Sequence, residues 1–524
     1  MATRPFAIAL AIVAALTGAA SAQAATDASA RTGQVRFVKR MDPSFDKYVT
    51  NPSTSQKQWL TSHLWRTEVF TPFFDDKTSW YASGWLYSDI YAIYNGSDVA
   101  RQHPDWILKD ASGNPLYIPW GCSNGWCPQY AADITNPAYR AWWIGQLQTN
   151  LAKGYKGAWV DDVNMDLRVG NSNGTSTFPY SASLGHTMSE PEWRTAMANF
   201  TVQIRASIPA DKEIVHNSIW YAAGNAGRDS NPDVAREINS ADYINIERGF
   251  NDDGLTGGNG EWSQRALQGF IDRVHAKGKG VIIDGFDGSA AGSEYSLANY
   301  LLVNSGADAI GEGDQTPDNW WNGWNTDLGT ALAARYDWQG LERRDFTGGI
   351  ALVAEPGAPS RTVQLPQPMV NLAGQTVSSV TISGGHGAVL TGVGVTAGTP
   401  DPTGTASTAP APTNPSSCGC NGGKTTPAKT STSTGTAAGS TVGTDATACK
   451  QVRVTYSTLR WNAKASKFQR RRGSAKVCID AGLKSGSKAQ RAAISKATEK
   501  ARRASLQLAK AARRESVTAA GSKA

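Results

Sequence analysis

The fold class the sequence predicts is α/β: a (β/α)8 TIM barrel followed by a small antiparallel β-domain, then a disordered linker and a basic tail. Three observations predict it. Short apolar runs alternate with segments of helical period about eight times across residues 31–340, which implies a parallel sheet wrapped by helices. Seventeen of the 18 Trp lie before residue 340, so the large folded unit ends near there. Across residues 397–446 large apolar residues nearly vanish. A doubly wound open sheet would want a Gly-rich phosphate turn after its first strand, and none is present.

Eight runs read as the barrel strands: Val35–Val38, Arg66–Phe70, Gly84–Tyr94, Gly157–Asp161, Glu213–Ser218, Tyr243–Glu247, Gly280–Asp284 and Asp308–Glu312. Between them Tyr139, Trp143, Leu147 and Leu151 recur at helical spacing. So do Trp193, Met197, Phe200, Ile204 and Ile208, and then Leu267, Phe270, Ile271 and Val274, each set forming one apolar helix face. Residues 341–396 change character. "GGIALVAEPG", "SRTVQLP" and "SSVTISGGHGAVL" are β-branched runs between Gly and Pro breakers, which read as a small antiparallel β-domain. Residues 397–446 are a Thr/Ser/Pro/Gly linker, and 447–524 a basic tail whose Ala489–Thr518 stretch is helix-prone.

The chain has 524 residues, 40% hydrophobic and 18% charged, which is core enough to exclude wholesale disorder. Its formal charge of +7 is split unevenly: residues 447–524 hold 20 Lys and Arg against 3 Asp and Glu, leaving 31 basic and 41 acidic groups to the rest. At the N-terminus Arg4 precedes the apolar run Phe6–Leu16 and small residues ending Ala22-Gln23-Ala24, so residues 1–24 read as a secretory signal peptide. No later run reaches the roughly 20 apolar residues of a membrane helix. The expected location is therefore secreted, extracellular or associated with the cell envelope. The tail shows no nucleic-acid signature, so no specific nucleic-acid partner is expected. An anionic cell-envelope polymer is the partner its charge suits.

The informative pattern is how the strands end. "GAWVDDVNMD" delivers Asp161 and Asp162, "YINIERGF" Glu247, "VIIDGFDG" Asp284 and Asp287, and "DAIGEGD" Glu312 and Asp314. C-terminal strand ends surround one funnel in a barrel, where active sites sit. Alternatively, individual acids cap the following helices. Paired carboxylates suit glycosidic cleavage, one protonated to release the sugar oxygen and one ionised as nucleophile or base. Asp161, Glu247, Asp162, Asp284 and Glu312 are the catalytic candidates. Rival chemistries lack their motifs: the histidines are scattered with no H-E-x-x-H, no hard-cation loop is evident, and no G-x-S-x-G occurs in the barrel. No metal and no cofactor is expected. Aromatic rings cover the apolar faces of sugars, so Trp85, Trp120, Trp126 and Trp320, with Asn217, are the substrate-binding candidates. A polysaccharide is the expected substrate. A non-catalytic carbohydrate-binding or scaffold protein on the same fold is the alternative.

"HPDWILKDASGNPLY", "DITNPAYRAWW" and "GYKGAWVDDV" resemble the layout of bacterial barrel glycosidases, and specifically glycosyl hydrolase-like family fifteen, over about residues 31–396. The resemblance implies that the Asp closing the fourth strand is catalytic, mapping to Asp161, and that the sixth-strand Glu maps to Glu247. The adjacent Asp162 and the long loop 163–190 set this chain apart.

Cys122 and Cys127 flank "SNGW" in the third-strand loop, where an exported protein would close a disulfide. Cys418, Cys420, Cys449 and Cys478 allow three pairings, among which sequence does not choose.

Overall fold

The computed structural model describes residues 32–398, apart from 41, 43, 123–124, 182–183, 219–227, 253, 286–288 and 313–314, and the backbone of 449–462 and 467–480. The expectations for residues 1–24, for the linker, for Asp287 and Asp314 and for the helix-prone stretch lie outside the described residues.

Eight parallel strands close into a barrel: β1 Phe37–Arg40, β2 Arg66–Val69, β3 Gly84–Asp89, β4 Gly157–Asp161, β5 Glu213–Asn217, β6 Tyr243–Ile246, β7 Gly280–Asp284 and β8 Ala309–Glu312. Each pairs with its sequence neighbours, and β1 closes on β8 through Phe37↔Ile310 and Lys39↔Glu312. Six longer helices wrap it: α1 Thr54–His63, α2 Pro137–Leu151, α3 Glu190–Ser207, α4 Pro232–Ser240, α5 Gln264–Ala276 and α6 Ala290–Val303. Each starts where the sequence supplies a cap, namely Ser53, Asn136, Ser189, Asn231, Ser263 and Ser289. Such a cap satisfies otherwise orphaned N–H groups and contributes about 1 kcal/mol. The three apolar stripes expected from spacing are the buried faces of α2, α3 and α5.

Two strands differ from the expectation by more than one residue. Val35 does not join the barrel, because its N–H bonds the Thr326 carbonyl, and β1 runs on to Arg40 instead. The third strand stops at Asp89. Ile90 N–H then bonds the Asp161 carbonyl, and Ala92–Tyr94 turns outward to pair antiparallel with Gln129–Ala131.

Strand alternation fills the barrel interior in layers. Val38, Trp85, Trp159, Val215, Ile282 and Ala309 form the middle, with Trp65, Tyr87 and Tyr243 packed against them. Below, Arg66 grips both oxygens of Glu213 at 2.8 and 2.9 Å, and Trp85 Nε1–H donates to the same carboxylate at 2.8 Å. The interior is plugged, and what opens to solvent is the layer above Trp159.

After β8 a six-stranded antiparallel sheet follows: β9 Tyr336–Trp338, β10 Leu341–Phe346, β11 Gly349–Ala354, β12 Arg361–Asn371, β13 Thr376–Ile382 and β14 His386–Thr391, in the order β9-β10-β11-β14-β12-β13. Ala351, Val353 and Val389 on one face join the core of the barrel and its helices. Ile350, Leu352, Val363 and Leu390 form a second core on the other. Helix α6 lies beneath, so close that a Cβ at Gly387 would meet Ala298 Cβ at 2.7 Å. Separately, Cys449–Asn462 and Lys467–Asp480 pair antiparallel as a two-stranded sheet. Cys449 stands opposite Asp480, and Cys478 opposite Gln451. No helix among the described residues is long and apolar enough to cross a membrane.

Candidate active site

The top of the funnel is built by the last inward residues of the strands. β1 supplies Arg40, β2 Glu68, β3 Tyr87 and Asp89, β4 Asp161, β5 Asn217, and β6 Asn245 with Glu247 just beyond it. β7 supplies Asp284. Asp161 is the most heavily held. Asn217 Nδ2–H donates to its Oδ1 at 2.7 Å and Asp162 N–H to the same oxygen at 2.9 Å, while the Tyr87 hydroxyl meets Oδ2. Asn217 is itself braced by Asn245 Nδ2–H at 2.7 Å. Asp162 Oδ1 accepts from Trp120 Nε1–H at 3.1 Å and from Asn164 Nδ2–H at 3.2 Å.

Two residues in the left-handed region frame the site. Asp162 has φ 58° and Arg248 φ 66°, conformations that cost a non-glycine residue free energy and concentrate at functional sites. Each turns its backbone N–H onto a funnel carboxylate: Asp162 onto Asp161, and Arg248 onto Asp284 Oδ2 at 3.1 Å. Gly249 follows at φ 53°, and a Cβ there would stand 2.1 Å from the Asp284 carbonyl oxygen. Only glycine lets the segment carrying Glu247 press against the end of β7.

Arg40 brings a largely buried cation among these acids. Arg40 pairs with Asp284 at 2.9 Å, reaches Glu68 at 3.8 Å and lies over the Trp159 ring at 4.9 Å. Burial alone would lower the Arg40 pKa, but Asp284, Glu68, Glu247 and Asp161 together hold it above its ordinary value. Burial pushes the Glu247 carboxyl up; Asp161 and Asp284 push the same way, while Arg40 and Arg248 pull back. Asp284 is raised by burial and by Asp161, against Arg40 and the Arg248 amide. Asp162 stands well above the carboxylate range because of burial and then the charges of Asp161, Asp89 and Glu247, with Trp120 opposing. Burial and mutual repulsion thus raise Glu247, Asp284 and Asp162 together.

Asp89, Asp161 and Asp162 bring carboxylate oxygens within 4.8 Å of one another, the one such grouping of metal-capable side chains among the described residues. A hard cation would find oxygen ligands there. The hydroxyls of Tyr87 and Tyr94, the Trp120 indole, Asn164, Asn217 and the Asp162 amide already donate to these carboxylates, an arrangement that suits shared protons better than an ion.

The catalytic candidates Asp161, Asp162, Glu247 and Asp284 therefore come together, with Asn217 beside them. The Glu312 backbone ends β8, and its side chain lies outside the described residues. Cys122 and Cys127 are joined by a disulfide. Trp120 touches Asp162, and Trp126, inside the disulfide loop, is 47% exposed. Two aromatic expectations are corrected. Trp85 is fully buried beneath the funnel with its indole N–H spent on Glu213, so it offers no face to a sugar. Trp320 packs on the outer wall against Phe37, Trp59 and His63, away from the interior layers. The sequence reading missed Arg40, Glu68 and Asp89, and it did not single out Tyr87 as a site residue. Ending the first strand at "VKR" and the third at "YSD" would have exposed three of them, since alternation puts Trp85, Tyr87 and Asp89 on one face.

A closed parallel barrel with an acid-lined funnel at its C-terminal strand ends defines a glycoside hydrolase-type barrel. The chain belongs to hypothetical glycosyl hydrolase family 15, whose model matches residues 73–350. Among solved structures it is similar to the glycoside hydrolase domain of PelA from Pseudomonas aeruginosa, at 13% identity over 57% of this chain and 97% of that one, TM-score 0.33. It is also similar to an α-amylase from Lactobacillus plantarum, at 11% identity over 70% and 100% of the two chains, TM-score 0.41. The α-galactosidase TtGalA from Thermus thermophilus matches at 13% identity over 55% and 63%, TM-score 0.33. No curated protein matches the chain.

Proposed function

We propose that this glycosyl hydrolase family member is exported and cleaves a polysaccharide with two carboxylates, Asp161 as the nucleophile or charge-stabilising group and Glu247 as the general acid. The observation that carries the reading is the contrast between their surroundings. Asp161 receives donors on both oxygens, two of them N–H groups at 2.7 and 2.9 Å, which hold it in the fixed orientation a nucleophile or charge-stabilising carboxylate needs. Burial and neighbouring acids raise Glu247, which favours the proton an acid catalyst must hold. Asp284 and Glu312 orient sugar hydroxyls or tune the pair, and Trp120 and Trp126 offer ring faces at the rim. The leader at 1–24 supports export, and the tail, with 20 basic and 3 acidic residues, supports retention on an anionic envelope polymer.

The test is incubation of the purified protein with a panel of bacterial and plant polysaccharides, followed by detection of new reducing ends. Release from at least one polymer, abolished in Asp161→Asn, is the expected result. Binding to a polymer with no release from any would favour the non-catalytic carbohydrate-binding alternative.

A further inference from the structure

Three inward residues stand at one level on adjacent strands. Asn217 on β5 is the register partner of Asn245 on β6, and Asp161 on β4 directly follows the Val160↔His216 pair. Asn245 Nδ2–H donates to Asn217 Oδ1 at 2.7 Å, and Asn217 Nδ2–H donates to Asp161 Oδ1 at 2.7 Å. On the other side of Asn245 its register partner is the apolar Ile282 on β7. Asn245 is fully buried, and no donor among the described residues reaches its Oδ1.

The sense of this chain is set at both ends. Asp161 Oδ1 also accepts the Asp162 backbone N–H at 2.9 Å, a group that can only donate. Reversing both amides would set the Asn217 carbonyl against that accepting oxygen. It would also leave both hydrogens of the buried Asn245 nitrogen unmet. The observed sense leaves one carbonyl oxygen of Asn245 unmet instead, and a buried N–H is the rarer orphan. Asn217 thus commits its carbonyl to β6 and an N–H to β4. An amide whose carbonyl accepts is the stronger donor, because linked hydrogen bonds polarise one another.

We infer that Asn245 is a positioning residue for Asp161, acting through Asn217: it fixes the orientation of that amide and strengthens the N–H that holds the Asp161 carboxyl. The inference rests on the proposed role of Asp161 in cleavage. Asn245 is closed off from solvent and touches no reacting atom itself. Its influence crosses two hydrogen bonds, from β6 to β4. Because β6 leads directly into Glu247, the same pair of bonds ties the two proposed catalytic carboxyls to one register.

The test pairs an NMR spectrum with kinetics, both on the full chain. With isotopically labelled asparagine, the Asn217 side-chain amide is assigned by its loss in Asn217→Ala. Asn245→Leu keeps a similar volume and removes the donor, so the Asn217 N–H proton should move upfield as its bond to Asp161 weakens. Asn217 is only half-buried, so water can meet its freed carbonyl and the variant should fold. On a polysaccharide that the protein cuts, kcat should fall about tenfold while KM stays within about twofold, because a displaced carboxylate costs rate rather than binding. Should Asn245→Leu not fold, Asn245→Ala, which also lacks the donor, carries the same expectations. The proposal is overturned if the Asn217 resonance stays where it was, or if kcat is unchanged. It is overturned equally if KM rises several-fold, which would make Asn245 a substrate contact. If the wild type cuts no polymer, the glycosidase reading fails, and the resonance alone decides whether the two amides act as a unit.

Discussion

Replacing Arg40 by Met leaves its aliphatic volume near Trp159 and removes the funnel's central positive charge. The guanidinium lies 2.9 Å from Asp284 Oδ1, with the two side chains 26% and 18% exposed. At an effective dielectric of about 20, charges that close attract by about 5–6 kcal/mol gross. Desolvation offsets much of this, and breaking one side of such a largely buried pair costs about 3 kcal/mol net. The cost should depend on pH in a defined direction. Asp284 is already raised in the folded state by burial, against the pull of Arg40, so the variant raises it further. A carboxyl raised by folding costs nothing below its unfolded pKa of about 3.9, where both states are protonated, and progressively more as pH rises toward its folded value. Urea midpoints followed by Trp fluorescence should therefore nearly coincide for wild type and Arg40→Met near about pH 4, and differ by about 3 kcal/mol near about pH 7. Equal deficits at both pH values, or none at neutral pH, would refute the electrostatic account of Arg40.

In turnover, Asp161→Asn and Glu247→Gln should each cut reducing-end release about 100-fold or more, whereas Asp162→Asn should cost far less, because burial and neighbouring acids already push Asp162 towards its protonated form and Asn tolerates φ 58°. Stability should also fall on the alkaline side through His275, whose pKa Asp308, 2.9 Å away, raises despite burial. That contribution is complete below the unfolded value of about 6.5 and is lost as pH rises through the raised folded one, so His275→Gln should flatten the slope of urea midpoints between about pH 6 and 8.5. Ending the chain after Gly398, whose N–H donates to Asp345 at 2.9 Å, should leave soluble-substrate turnover intact while weakening salt-sensitive adsorption to anionic polymer, measured by co-sedimentation. Peptide mapping of secreted protein without reductant should recover Cys122 and Cys127 as one linked species, and two free thiols there would count against export through an oxidising compartment.

The acids of β4, β6 and β7 were legible because each follows a short, largely apolar run, "GAWV", "YINI" and "GVII", whose burial on both faces is what a parallel barrel strand requires. Asp89 was not, because "GWLYSDIYAIY" continues apolar past it. The residues beyond are apolar for another reason: Ile90, Tyr91 and Ile93 are buried as the chain leaves the barrel. Arg40 was hidden by Val35, which reads as a strand residue although its amide bonds Thr326. Trp85 was misplaced because a count of aromatics carries no depth. Two steps of alternation separate it from Asp89, and they are the difference between the floor of the funnel and its rim.

Helix α6 is buried along nearly its whole surface, from Gly292 and Ser293 through Tyr295–Val303, with a barrel strand layer on one side and β11 and β14 on the other. Such a helix has no face fit for water. During synthesis from the N-terminus, the chain past Val303 has already supplied seven of the eight strands, yet α6 lacks its outer cover until Thr391 has been made. The ribosome thus delivers the acid-bearing strand ends before the layer that finishes the wall behind β7 and β8. A nascent chain stalled between those points exposes an apolar helix for chaperones or proteases to find, and release from that state waits on the last strand of the sheet.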